Sequence, residues 1–320
     1  MGSGRWSTDV YTAAAGYRAA TGTSAFAYSD SGARKAHPAL DPRGVTARES
    51  RDSDEHPQST PIAVLFDVTG SMRSVPRVLQ TKLPQLLGLL TRKGYAADPH
   101  LMFGAVGDAT CDRVPLQVGQ FESDNRMDDD LARIVLEGGG GGGRRESYEL
   151  AMYFMARHTA LDSLARRGRR GYLFLIGDEM PYRQVKPKEV AKFVGDQLSE
   201  PIGVEAMLAE LQRSYDVYFI MPTAAGWGGD AEILGEWRAL LGQQVIELDD
   251  LDAVCETIAL TVGLGEGTVD LDNGLSDLAE AGSAAGGSVG RALAPISAQR
   301  GAVVRSPLAG STSGNGNERL

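Results

Sequence analysis

Between Pro61 and Pro76 the chain reads PIAVLFDVTGSMRSVP. Ile62 to Phe66 is apolar at every position, the mark of a strand covered on both faces, as in parallel sheets flanked by helices. The run stops at Asp67, and Thr69 and Ser71 follow at alternate positions. A core strand that ends in a carboxylate and two hydroxyls aims oxygen atoms at something beyond the sheet edge. The alternatives are a metal ion, a phosphorylated aspartate, or only a capped turn before the next helix.

Working outward, strand-like and helix-like segments alternate. Further strands are expected at His100–Asp108, Pro115–Glu122, Gly171–Glu179, Tyr215–Pro222 and 243–249. Helices are expected in SVPRVLQTKLPQLLGLLTRKG, where Val75, Val78, Leu79, Leu83, Leu86, Leu87 and Leu90 share one face. Pro84 should kink or break that helix. MDDDLARIVL, ESYELAMYFMARHTALD, KEVAKFVGDQL, GVEAMLAELQRS, AEILGEWRALLG and LDAVCETIALTVG also read as helices. The order implies a Rossmann-like, doubly wound α/β fold, with a mostly parallel six-stranded sheet and helices on both faces. Ligands of such sheets sit beyond the carboxyl ends of the strands. That rule selects Asp67 and also Asp178, which ends the apolar run in GYLFLIGDE.

The flanks differ in composition. Residues 1–58 are polar and small, ending in the charged cluster RESRDSDEHP; they read as an extension with little core of its own. Arg48 or Arg51 would dock it through acids on the domain, although a solvated strap explains the same residues. Residues 59–265 form the expected domain. From 266 to 320 the chain drifts into small and polar residues, expected to be a low-complexity, disordered tail. A run of six glycines, Gly138–Gly143, reads as a surface loop or as backbone that approaches a ligand closely. It lacks the Gly-Lys-Ser/Thr ending of a phosphate loop.

The net charge of −10 argues against a general nucleic-acid binder, and ARRGRR (165–170) is too short to reverse this. No apolar run approaches the roughly 18 residues of a membrane span, and the N-terminus lacks a signal-type apolar core. A cytoplasmic location is therefore expected. Two cysteines, Cys111 and Cys255, are too few for a disulfide framework, and the four histidines lack ligand spacing. Cys255 reads as a buried thiol on an apolar helix face.

Asp-x-Thr-x-Ser at the end of an apolar first strand, together with LIGDE, resembles the von Willebrand factor type A family over about 58–265. The resemblance implies a metal-ion-dependent adhesion site in which Asp67, Thr69 and Ser71 hold Mg²⁺ or Mn²⁺ and Asp178 acts through water. It implies a non-enzymatic protein-binding module whose partner supplies an acidic ligand residue. Intracellular bacterial members commonly work beside AAA-type ATPases, so such an assembly is implied too. The family's middle-loop threonine is absent here. EGGGGGGRRESYE holds its place, and Glu146 or Ser147 would substitute; Asp108 is a further alternative. A more anionic site with Glu146 would have less appetite for a partner's carboxylate.

The rival reading is enzymatic. DVTGS also resembles the phosphorylated loop of haloacid-dehalogenase-like phosphotransferases, with Asp67 as nucleophile. That chemistry needs a lysine to neutralise the phosphoryl charge and paired acids for Mg²⁺. The second aspartate of that loop is Thr69 here, and the segment before Asp178 offers only arginines.

Overall fold

The computed structural model describes residues 4–138 and 143–305, apart from the side chains of Ser71 and 300–305. Its centre is a six-stranded sheet: β1 (Ser59–Asp67), β2 (Asp98–Val106), β3 (Leu116–Val118), β4 (Gly171–Ile176), β5 (Tyr215–Pro222) and β6 (Val245–Leu248), in the order β6-β5-β4-β1-β2-β3. All neighbours are parallel except β3, which runs antiparallel at the edge.

β1 is buried at every position because alternate side chains serve two cores. Ile62, Val64 and Phe66 face one apolar layer and Ala63 and Leu65 the other. On the first face lie α1 (Thr8–Thr21), α2 (Val75–Thr81), α3 (Leu83–Leu87) and α4 (Arg126–Arg133), with buried residues from each in one cluster. The opposite layer takes α5 (Tyr148–Arg157), α6 (Val204–Leu211) and α7 (Ala231–Leu241). α8 (Val254–Glu266) closes the first face and carries Cys255 fully buried, with burial pushing its thiol pKa up. Pro84 acts as expected: the helix after β1 ends at Thr81, Lys82 leaves helical geometry, and α3 begins at Leu83.

Two expectations need correction. Pro115–Glu122 pairs as a strand only over Leu116–Val118. Gly119 then passes the Phe103 carbonyl and the Asp130 carboxylate so closely that a Cβ would lie 2.8 Å from each, so the chain turns off the edge there. From 266 onward, 271–305 are helical rather than structureless: α9 (Leu271–Glu280) and α10 (Gly286–Arg305) bury Leu278, Val289 and Leu293 against the first-face core. Residues 306–320 lie outside the described residues.

The N-terminal segment packs on the domain through Tyr11, Phe26 and Leu40, all buried. The Tyr11 hydroxyl donates to the Gln80 carbonyl at 2.8 Å, and Arg18 pairs with Asp128 at 2.9 Å. Arg51 pairs with Asp162 at 2.8 Å, whereas Arg48 donates to the carbonyls of Ala39 and Val118. The arginines of ARRGRR are each matched by an acid: Arg166 by Asp162, Arg167 by Asp52, Arg169 by Glu266 and Arg170 by Asp216. Among the described residues, no helix is long and apolar enough to cross a membrane.

Candidate metal centre

β1 and β4 are adjacent and parallel, with Phe66 opposite Ile176. Their carboxyl ends therefore emerge side by side: Asp67 closes β1, and Gly177, Asp178 and Glu179 follow β4. One carboxylate oxygen from each of Asp67, Asp178 and Glu179 lies within 4.8 Å of the others. A third segment completes the cluster. Arg145–Glu146 forms a two-residue parallel pairing with Met180–Pro181, just past Glu179. The carboxyl of Glu146 is hydrogen-bonded to that of Glu179.

These acids are out of water: Asp67 and Asp178 are 0% exposed, Glu146 2% and Glu179 8%. Burial, then the neighbouring Glu179 and Asp178, push the Asp67 carboxyl well above the usual range, against hydrogen bonds from Thr69. Burial and then Asp67 raise Glu146 to about 12. Glu179 rises to about 7, again chiefly by burial, with the hydrogen bond from Glu146 holding it down. Asp67 Oδ2, Glu146 Oε2 and Glu179 Oε2 are buried without a hydrogen-bond partner.

No ion pair among the described residues reaches these three acids. The nearest arginines in sequence are committed elsewhere: Arg144 to Asp230 and Glu232, Arg145 to Glu236. Buried carboxylates without partners are costly and hold protons until a cation replaces them. The donors are all oxygen, which suits Mg²⁺, Mn²⁺ or Ca²⁺ over thiolate- or imidazole-seeking metals.

The walls are specific. The Tyr148 hydroxyl, buried and without a partner, lies against Gly177, where a Cβ would fall 1.7 Å from it. The Tyr148 ring meets Trp237 edge-on at 5.4 Å, and the Trp237 indole N–H donates to the Glu179 carbonyl at 2.8 Å. The Trp227 backbone N–H donates to Asp178 Oδ2 at 2.9 Å, bringing the loop after β5 over the site. Trp227 is 40% exposed beneath the Arg144 guanidinium.

Of the residues singled out in the sequence, Asp67, Asp178 and Glu146 come together. Thr69 sits beside them, its N–H donating to Asp67 Oδ1 at 2.6 Å. Ser71 lies in the short 3₁₀ turn Gly70–Met72, and its side chain is outside the described residues. Ser147 is used otherwise: its hydroxyl accepts the Ala109 N–H at 2.9 Å, tying the Glu146 segment to the loop after β2. Asp108 accepts the Tyr182 hydroxyl at 3.0 Å and adds negative potential at Glu146 and Glu179. Of the glycine run, 139–142 lie outside the described residues; Gly138 donates to the Val68 carbonyl at 3.2 Å, so the run departs beside the Asp67 loop.

Glu179 and Tyr148 were not legible as site residues. Neighbours in an extended strand point to opposite sides, but the strand ends at Ile176, and past it Asp178 and Glu179 both bring a carboxylate oxygen near Asp67.

No protein-family model matches the chain, and no curated protein matches it. Among solved structures, the open conformation of the pilus adhesin SpaC from Lactobacillus rhamnosus GG is similar over 68% of this chain and 31% of that one, at 10% identity and TM-score 0.43. Proximal thread matrix protein 1 from the mussel byssus is similar over 68% of this chain and 49% of its own, at 11% identity and TM-score 0.42. The chain spans about a third to a half of those proteins. The fold rests on the strand order and pairing above.

Proposed function

We propose that this chain is a divalent-metal-dependent protein-binding module of von Willebrand factor A type. Asp67, Asp178 and Glu146 hold Mg²⁺ or Mn²⁺ with Thr69 and Ser71 beside them, and Glu179 joins this set. The observation that carries the reading is the convergence of buried carboxylate oxygens of Asp67, Asp178 and Glu179 past the carboxyl ends of β1 and β4, where Asp67 and Glu179 each keep an oxygen without a hydrogen-bond partner. The bound cation supplies positive charge to which a partner's acidic side chain can bond. Glu146 stands where the resembled family has a threonine; burial and its acidic neighbours keep it protonated in the metal-free chain, and a bound cation displaces that proton. The site is then more anionic than one with a threonine, and its appetite for a partner's carboxylate correspondingly smaller. Binding proceeds without catalysis, in an assembly that includes an AAA-type ATPase, in the bacterial cytoplasm.

Phosphoryl transfer is disfavoured by the surroundings of Asp67. The lysine that would neutralise a phosphoryl charge is missing: no ion pair among the described residues brings a basic side chain to Asp67, and the charges that act on it most strongly are Glu179 and Asp178. Affinity capture with Mg²⁺ or with chelator, on wild type and Asp67→Ala, tests the proposal. A partner retained only by wild type with metal supports it. Capture indifferent to chelator, or turnover of an aryl phosphate that depends on Asp67, overturns it.

A further inference from the structure

A second surface lies away from the acidic cluster. A groove of about 200 Å³ opens where three distant segments meet: the N-terminal segment at 35–43, the turn that leads into β3, and the short helix Pro187–Phe193. The Gly44 N–H donates to the Val194 carbonyl at 3.2 Å, which fixes the first segment against the end of that helix. Pro42, Val114, Pro115 and Phe193 give the groove apolar walls. Four bases line it as well, Lys35, Arg43, Arg113 and Lys192, against one acid, Asp41. Asp41 is taken by Arg43 at 2.6 Å. Glu137 approaches Arg113 only to 3.8 Å, and the Arg113 side chain stays 55% exposed. Lys192 lies over the Phe193 ring at 4.4 Å, and neither it nor Lys35 has an ion pair among the described residues. Acids outnumber bases in the whole chain by 42 to 32, yet in this groove the balance is reversed.

We propose that this groove docks an acidic peptide segment of a partner protein, with one apolar side chain between the walls and flanking carboxylates paired with Lys35, Arg113 and Lys192. The volume is below the roughly 300–1,000 Å³ of small-molecule sites and suits a single side chain. Charge of the opposite sign selects the segment and speeds its arrival. A nucleic-acid strand is disfavoured, because its phosphates run on past the groove over a chain of net charge −10. No lining residue belongs to the acidic cluster, so this docking and the metal reading fail separately.

The probe is a fluorescein-labelled nonapeptide with leucine at its centre and glutamate elsewhere. It is titrated with the full chain, chelator present, and followed by anisotropy. Saturable binding is expected at about 50 mM salt and should weaken as salt rises, because exposed charges are screened over about 10 Å at about 0.1 M. Reversing two exposed charges together, Lys35→Glu with Lys192→Glu, should weaken it about tenfold. Serine in place of the peptide's central leucine should also weaken it about tenfold on wild type, a comparison that needs no variant to fold. No saturable binding at about 1 mM chain overturns the proposal. So does binding unchanged by the double charge reversal or by the serine peptide. An oligothymidylate that binds more tightly than the peptide, and is lost in the same variant, overturns it in favour of nucleic acid.

Discussion

Replacing Asp67 by asparagine should separate the cost of the acidic cluster from its use. In the metal-free chain, Asp67 either carries a proton or buries a charge beside Asp178 and Glu179. Asparagine keeps the carbonyl that accepts the Thr69 N–H and turns an NH₂ toward the neighbouring carboxylates. Relief of a buried, unsatisfied acceptor is worth about 1–3 kcal/mol. In a chain of this size that is about 2–6 °C in melting temperature, at roughly 2 °C per kcal/mol. Metal acts in the opposite sense. Saturating wild type at about a hundred times its Kd adds about 2.7 kcal/mol, or about 5 °C. The assay is thermal unfolding at neutral pH, with and without Mg²⁺ or Mn²⁺. The variant should melt higher than wild type without metal and fail to respond to it. A variant that melts lower in both conditions, or that keeps the metal response, refutes the reasoning.

Glu179 sets a pH dependence. Its carboxyl is held at about 7, above its ordinary 4.5, so the folded chain binds that proton more tightly than the unfolded one. Its contribution to stability is complete below about 4.5 and lost as pH rises through about 7, so Glu179→Gln should flatten the metal-free melting profile across that window; an unchanged slope counts against the assignment. Gly177→Ala should destabilise strongly, because its Cβ would strike the Tyr148 hydroxyl; adding Tyr148→Phe, which removes only that partnerless hydroxyl, should recover part of the loss in chemical denaturation. If the double variant is no better than the single, the contact is not the cause. Glu146→Gln keeps an oxygen in place but not the carboxylate charge and should retain more of the metal-induced melting shift than Glu146→Ala; equal shifts in the two would remove Glu146 from the site.

The sheet was legible because its signal is local. Ile62 to Phe66, Gly171 to Ile176 and Tyr215 to Pro222 are apolar runs bounded by turns, and Pro84 broke its helix for a purely covalent reason. Asp67 and Asp178 followed from the general rule on strand ends. What escaped notice depends on contacts between distant segments. The edge strand stops at Val118 because Gly119 must pass under Phe103 and Asp130. α10 is rich in glycine and alanine, and its apolar positions Val289, Leu293 and Ile296 matter only because the first-face core receives them. Glu179 and Tyr148 join the site through the turn after β4 and the approach allowed by Gly177, neither of which has a periodicity to read.

In the proposed centre, Asp67, Glu146, Asp178 and Glu179 enclose a cation. The most direct measurement is an anomalous difference map from crystals of the full chain grown with Mn²⁺. A peak bonded to oxygens of Asp67 and of at least one of Asp178, Glu146 and Glu179 is expected. Crystals at neutral pH in which those carboxyl groups contact one another with no peak between them, while Mn²⁺ occupies other positions, would contradict it.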